Sequence, residues 1–202
     1  MIAIIDYGAG NLKSVEKAFT AIGETCVITR EYEKLKEADR ILLPGVGSFG
    51  SAMAQIKRFS LDKIMEEMIF EKKKPFLGIC LGLQLLYEGS EESKGVEGLG
   101  FLKGKILRIP DAEGLKIPHV GWNSLQLQND GKLFRGFEKE PYVYFVHSYY
   151  LQASEEETVK ATTEYGVTIH ASVEKDNLFA CQFHPEKSGE VGLSILRHFL
   201  KA

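Results

Sequence analysis

Apolar residues follow two rhythms along this chain. In the first half, short unbroken apolar runs alternate with stretches in which apolar residues recur every three or four positions. Ile2–Ile5 is the first run, and a strand covered on both faces reads this way. Gly8-Ala9-Gly10-Asn11 breaks it, and Leu12, Val15, Phe19 and Ile22 follow at helical spacing, with Gly23 as a stop. Cys26–Thr29 predicts a second strand. Arg40–Leu43 predicts a third, ended by Pro44-Gly45-Val46-Gly47. Helical spacing resumes over Ala52–Phe59 and over Leu61–Phe70. Pro75–Ile79 reads as a fourth strand and Leu81–Tyr87 as a helix directly after it. Alternation of this kind argues for a mostly parallel sheet with helices on both faces.

The second half changes character. From Lys103 to Phe183 the signals are strand-like. Tyr142–Tyr150 is rich in aromatics and valine, and Thr168–Val173 and Phe179–Phe183 read as partners across Glu174–Asn177. A closing helix puts Val191, Ile195, Leu196 and Phe199 on one face. No repeat, low-complexity tract or linker interrupts the chain. The expected fold is α/β: a mostly parallel central sheet with flanking helices and an added antiparallel β portion, in a single domain over residues 1–202.

Composition narrows the function classes. With 202 residues the chain can bury an adequate core without disulfides or metal. A net charge of −3 with no basic stripe argues against nucleic-acid binding. No run of about 18 apolar residues exists, so no membrane span is expected. Met1-Ile2-Ala3-Ile4-Ile5-Asp6 reads as a strand, not a signal peptide. Cys26, Cys80 and Cys181 are an odd number at wide spacing, so no disulfide framework is expected, and a reducing cytoplasm is the expected location.

The candidates for chemistry are few. Gly45-Val46-Gly47-Ser48-Phe49-Gly50 matches the dinucleotide pattern G-x-G-x-x-G, but it follows the third strand instead of opening the first unit. The acids Asp62 and Glu66, about twenty residues on, fall in a helix and not at a strand end. A plain glycine turn and a loop presenting backbone N–H groups to an anion are the two other readings. Gly78-Ile79-Cys80-Leu81-Gly82 puts Cys80 on a sharp strand-to-helix turn between glycines, a nucleophile elbow with cysteine for serine. Free N–H groups at a helix start favour a thiolate. Such a nucleophile needs a proton partner and an orienting group. His184-Pro185-Glu186 supplies both types, since proline restricts the backbone between imidazole and carboxylate. His198 falls in the last helix and reads as a surface residue, and His170 falls in a strand without catalytic company. No H-E-x-x-H or C-x-x-C is present, so neither metal nor cofactor is expected.

A cysteine elbow with His-x-Glu about a hundred residues later resembles the class I glutamine amidotransferases. Gly78–Gln84 and Gln182–Ser188 look like that family's nucleophile and His–Glu motifs. Asp6–Leu12, Leu43–Gly50, Pro118–Asn123 and Tyr144–Tyr149 narrow the likeness to the glutaminase subunits of imidazole glycerol phosphate synthases. The resemblance spans Asp6 to Ser188.

It implies that Cys80 attacks the side-chain amide of glutamine, that His184 moves the protons, and that Glu186 orients the imidazole. The backbone N–H of Leu81 is one expected oxyanion donor, and the resemblance puts the second near Val46. It further assigns Gly47, Gln84, Glu92, Ser148 and Tyr149 to glutamine binding, with His147 structural. Asn11 and Trp122 are assigned to a partner interface, with a core position as the alternative for the lone tryptophan. The implied partner is a cyclase subunit with a (β/α)8 barrel in histidine biosynthesis, joined as a heterodimer, because one glutaminase domain leaves no residues for an acceptor reaction. A glutaminase serving another synthase, such as a sugar amidotransferase, stays open. So do a cysteine peptidase or γ-glutamyl hydrolase of the same fold, and a silent binding subunit.

Overall fold

The computed structural model describes residues 1–128 and 130–202. The chain opens with β1 (Ile2–Ile5), α1 (Leu12–Ala21), β2 (Cys26–Thr29), α2 (Tyr32–Glu37) and β3 (Arg40–Gly45). It continues through α3 (Phe49–Arg58), α4 (Leu61–Glu66), β4 (Phe76–Cys80) and α5 (Leu81–Leu85). The second half holds β5 (Gly104–Arg108), β6 (His119–Ser124), β7 (Gln126–Leu127), β8 (Tyr142–His147) and β9 (Tyr149–Ala153). It ends with β10 (Val159–Glu164), β11 (Thr168–Lys175), β12 (Leu178–Cys181) and α6 (Gly189–Phe199).

Eight strands form one sheet in the order β2-β1-β3-β4-β12-β11-β10-β7. From β2 to β12 the neighbours are parallel, and from β12 to β7 they are antiparallel. The predicted pairing of the two strands around Glu174–Asn177 is present, with Val173 opposite Ala180. Two antiparallel ribbons, β5–β9 and β6–β8, stand apart from the sheet. The expected α/β fold with an added antiparallel portion is therefore what forms.

Alternation along the strands divides the core. Ala3, Ile5, Ile41 and Leu43 face one side, where they meet residues of α2, α3, α4 and α5. Ile2, Ile4, Leu42, Leu77 and Ile79 face the other, where α1 and α6 bring Val15, Phe19, Ile195, Leu196 and Phe199. Both faces of the parallel half are thus covered, which is why its strands read as unbroken apolar runs.

Four local differences from the sequence reading have simple causes. The third strand runs on through Pro44 to Gly45, because pairing with β1 stops at Leu42 and the strand is bonded only to β4 beyond it. Proline is tolerated where one flank needs no donor. Tyr142–Tyr150 is two strands, not one, broken at Ser148. The helix expected over Leu61–Phe70 is α-helical to Glu66 and then widens into a π-helical turn over Glu67–Glu71. Finally, α2 gave no periodic signal, since it is short and anchors itself through Leu35.

Candidate active site

The strand-to-helix turn sits where expected. Cys80 ends β4 and precedes α5 directly, with φ 56° and ψ −110°. A positive φ at a residue with a Cβ costs about 1–3 kcal/mol and persists only when neighbours enforce it. The neighbours here are packed against glycines. A Cβ on Gly82 would lie 1.8 Å from the Leu43 carbonyl oxygen, and one on Gly45 would lie 2.8 Å from Leu81 Cβ. Only bare backbone lets β3, β4 and α5 approach this closely.

His184 reaches the same place from β12, the parallel neighbour of β4. Its backbone is extended just after β12, and Pro185 opens a 3-10 turn over Pro185–Lys187 rather than prolonging the strand. That turn brings Glu186 back beneath the imidazole. His184 Nδ1–H donates to Glu186 Oε1 at 2.7 Å, with the two side chains 2% and 1% exposed. Ser188 clamps the turn to β8: its hydroxyl donates to the His184 carbonyl and accepts from the Tyr144 N–H. With Nδ1 committed, Nε2 is the nitrogen left for chemistry. Burial disfavours the imidazolium, but Cys80 and Glu186 outweigh it and push the His184 pKa up to about 9. Among the described residues, the buried side-chain N and O atoms without a hydrogen-bond partner are His184 Nε2, Glu186 Oε2 and the Tyr7 hydroxyl. The first two belong to this pair. The third lies 2.7 Å from where a Gly45 Cβ would stand.

A cleft of about 300 Å3 opens above these groups, at the small end of the range for ligand sites. Val46, Gly47, Cys80, Leu81, Gln84, Glu92, Ser148, Tyr149 and His184 all line it. The structure therefore brings together every sequence-predicted catalytic, oxyanion and substrate residue except Glu186, which stands behind His184. Gln84 is buried, not an exposed helix residue: its Nε2 donates to the Tyr149 carbonyl at 3.0 Å and to Gln182 Oε1 at 3.1 Å. Both its N–H bonds are used, so Oε1 is what it can offer a ligand. Glu92 has one oxygen committed, accepting from the Phe49 N–H at 2.7 Å at the start of α3.

Asn11 and Trp122 lie outside the cleft. Asn11 precedes α1, accepting from the Ser14 hydroxyl. Trp122 is 56% exposed, so the core reading of the lone tryptophan does not hold. It stands on the outer face of the β6–β8 ribbon with Val120 and Tyr142, and edge-on to Tyr144.

Two residues gain importance that their sequence context did not announce. His147 lines the cleft and donates through Nδ1–H to the Tyr149 carbonyl, leaving Nε2 to accept from His119 Nδ1–H at 3.0 Å. Burial holds both rings neutral, lowering His119 to about 4 and His147 to about 3. Gln182 donates to Cys80 Sγ at 3.7 Å. In the sequence both fall inside stretches that carry the resemblance, Tyr144–Tyr149 and Gln182–Ser188, without a role for Gln182 and with a structural one for His147. Of the other histidines, His170 accepts from the Ala153 N–H. His198 is half-buried and bonded to the Leu133 carbonyl, so it is not the surface residue its helix suggested. Cys26, Cys80 and Cys181 are all free thiols. Among the described residues no three His, Cys, Asp or Glu side chains converge as a metal site would require.

Residues 3–202 match the family model described as glutamine amidotransferase class-I. The chain is 51% identical to the imidazole glycerol phosphate synthase subunit HisH of Methanothermobacter thermautotrophicus, covering 100% of this chain and 98% of that one. It is 49% identical to the subunit of the same name in Bacillus subtilis, covering 100% and 96%. Two solved structures share the fold: one described as a glutamine amidotransferase, with TM-score 0.78, 17% identity and 99% and 97% coverage, and PurLQS from Thermotoga maritima, with TM-score 0.78, 22% identity and the same coverage. By its sequence the chain belongs to the class-I glutamine amidotransferases and, within them, to the HisH subunits of imidazole glycerol phosphate synthase.

Proposed function

We propose that this amidotransferase of histidine biosynthesis hydrolyses glutamine at Cys80 and hands the ammonia to a cyclase subunit. The observation that carries the reading is the joint placement in one cleft of the elbow cysteine and an imidazole whose other nitrogen is held by Glu186 at 2.7 Å. Cys80 gives its proton to His184 Nε2, and the sulfur attacks the side-chain carbonyl carbon of glutamine. The C–S bond forms and the carbonyl π electrons move onto oxygen. When the tetrahedral intermediate collapses, the C–N bond breaks and ammonia leaves with the proton from His184. Water then attacks the thioester, losing a proton to Nε2, and the C–S bond breaks to release glutamate and restore the thiol. The Leu81 N–H and an N–H near Val46 serve the oxyanion, each worth roughly 3–4 kcal/mol. Proton transfer by His184 adds about 10²–10⁴-fold.

Glutamine is held by Gly47, Gln84, Glu92, Ser148 and Tyr149, all of which line the cleft. The partner is a cyclase with a (β/α)8 barrel, docking on the side that carries Asn11 and the exposed Trp122. Residues 1–202 act as one amidotransferase domain in the cytoplasm. No helix among the described residues is long and apolar enough to cross a membrane.

The test is a coupled assay: the chain, glutamine, an aminoimidazole-carboxamide-forming cyclase and its substrate, with glutamate and product both measured. Stimulation of glutamate release by the cyclase, in step with product, is expected. An unchanged rate with the cyclase present would overturn the partner assignment.

A further inference from the structure

Gln182 has no part in the chemistry described above, yet its side chain touches the reacting sulfur. It is 0% exposed, and its main chain is held by a bond from its N–H to the Ala171 carbonyl. What the side chain presents to Cys80 is decided by a line of hydrogen bonds that begins at a backbone carbonyl. The Tyr149 carbonyl can only accept. The Gln84 amide must therefore turn its NH2 group toward it, and it does so at 3.0 Å. The second hydrogen of that NH2 group points at Gln182, so Gln182 must answer with oxygen, at 3.1 Å. That choice leaves the Gln182 NH2 group facing Cys80 Sγ at 3.7 Å. Reversing the Gln182 amide would set two NH2 groups against each other and aim a carbonyl oxygen at the sulfur. Each such mismatch leaves a buried donor or acceptor unpaired. Amide orientation here is a consequence of an acceptor-only carbonyl two hydrogen bonds away.

The direction matters because the sulfur changes charge. A thiol has its own S–H, which faces the Val146 carbonyl at 3.9 Å, and gains little from a second donor. A thiolate has no donor and carries a full negative charge, and an N–H bond to an ion is roughly twice as strong as one between neutral groups. We propose that Gln182 is a further catalytic residue, whose amide N–H, aimed by Gln84 and the Tyr149 carbonyl, holds the Cys80 sulfur in its anionic form. The proposal rests on Cys80 being the nucleophile. It assigns Gln84 a second duty besides lining the cleft, since losing its amide would free Gln182 to turn.

The test measures alkylation of Cys80 by iodoacetamide in the full chain, followed by mass spectrometry of the Cys80 peptide from pH 5 to 10, together with kcat and KM for glutamine. Gln182→Met keeps length and volume but removes the donor. Its alkylation midpoint is expected to move up by about one pH unit, and kcat to fall about 10- to 100-fold, with KM changing much less. An unchanged midpoint in a folded Gln182→Met chain would mean the residue only packs. If that variant does not fold, the wild-type chain still decides. The Gln182 side-chain amide proton resonances should titrate with the same midpoint as alkylation, and a flat titration overturns the proposal. Should Cys80→Ala keep glutamine hydrolysis, the nucleophile reading itself fails, whatever Gln182 does.

Discussion

Cys80 holds a left-handed backbone that its own side chain opposes, and three glycines around it make the position tolerable. Gly82→Ala is expected to destabilise the fold by about 1–3 kcal/mol or more, because its Cβ would meet the Leu43 carbonyl oxygen at 1.8 Å. A urea midpoint equal to wild type would contradict that packing. Cys80→Ala should abolish glutamine-dependent product in the coupled assay and leave ammonia-dependent product intact. Equal loss of both would make Cys80 a structural residue. Glu186→Gln keeps the shape beside His184 but loses the charge that helps hold the imidazolium. Glutamine turnover should fall at least about 10²-fold. The motif spacing already named Cys80, His184 and Glu186. It gave Gln182 no role and His147 only a structural one, because their contacts depend on which atom of each side chain points inward.

Among the elements, the β6–β8 ribbon is the least accounted for by the core. One of its faces is buried through His119, Val143, Phe145 and His147, while the other leaves Val120, Trp122 and Tyr142 more than half exposed. The proposed docking of the cyclase on this face rests on these exposed apolar groups. Trp122→Ala is expected to weaken binding to the cyclase at least about tenfold, measured by titration of one subunit with the other. Unchanged affinity would remove Trp122 from the interface. Most of the parallel half was legible: β1 and β2 begin and end at the residues their apolar runs marked. The elements that escaped were those with little periodicity, such as α2 with its single buried Leu35. The break at Ser148 escaped too, since the run of aromatics and valine carries on to Tyr150 and only the separation of the two ribbons reveals it.

At the scale of the whole molecule, buried histidines make stability depend on pH in both directions. Burial lowers His119 to about 4 and His147 to about 3. The unfolded chain, with histidine near 6.5, therefore binds protons that the folded chain refuses, and stability falls as pH drops below about 6.5. His184 works the other way. Its pKa of about 9 lets the folded chain hold a proton the unfolded one has lost, so its contribution is full below about 6.5 and fades as pH rises through about 9. The urea midpoint should peak near neutrality and decline on both sides. Glu186→Gln should flatten the alkaline limb and leave the acid limb in place. A midpoint that is constant from pH 5 to 9 would refute this.

Sequence alone determined the fold class and the family, and it singled out Cys80, His184 and Glu186 as the candidates for the chemistry. These follow from local rules: apolar rhythm sets the elements, and a cysteine elbow with a His-x-Glu triplet is recognisable wherever it falls. Tertiary structure decided what those rules cannot reach. It turned Gln84 inward, exposed Trp122, linked His119 to His147, and aimed the Gln182 amide at sulfur. The physical reason is that burial and hydrogen-bond direction belong to the space between elements. Three strands, one short helix and the loops that join distant parts of the chain enclose the cleft, and no local spacing records which atoms meet there.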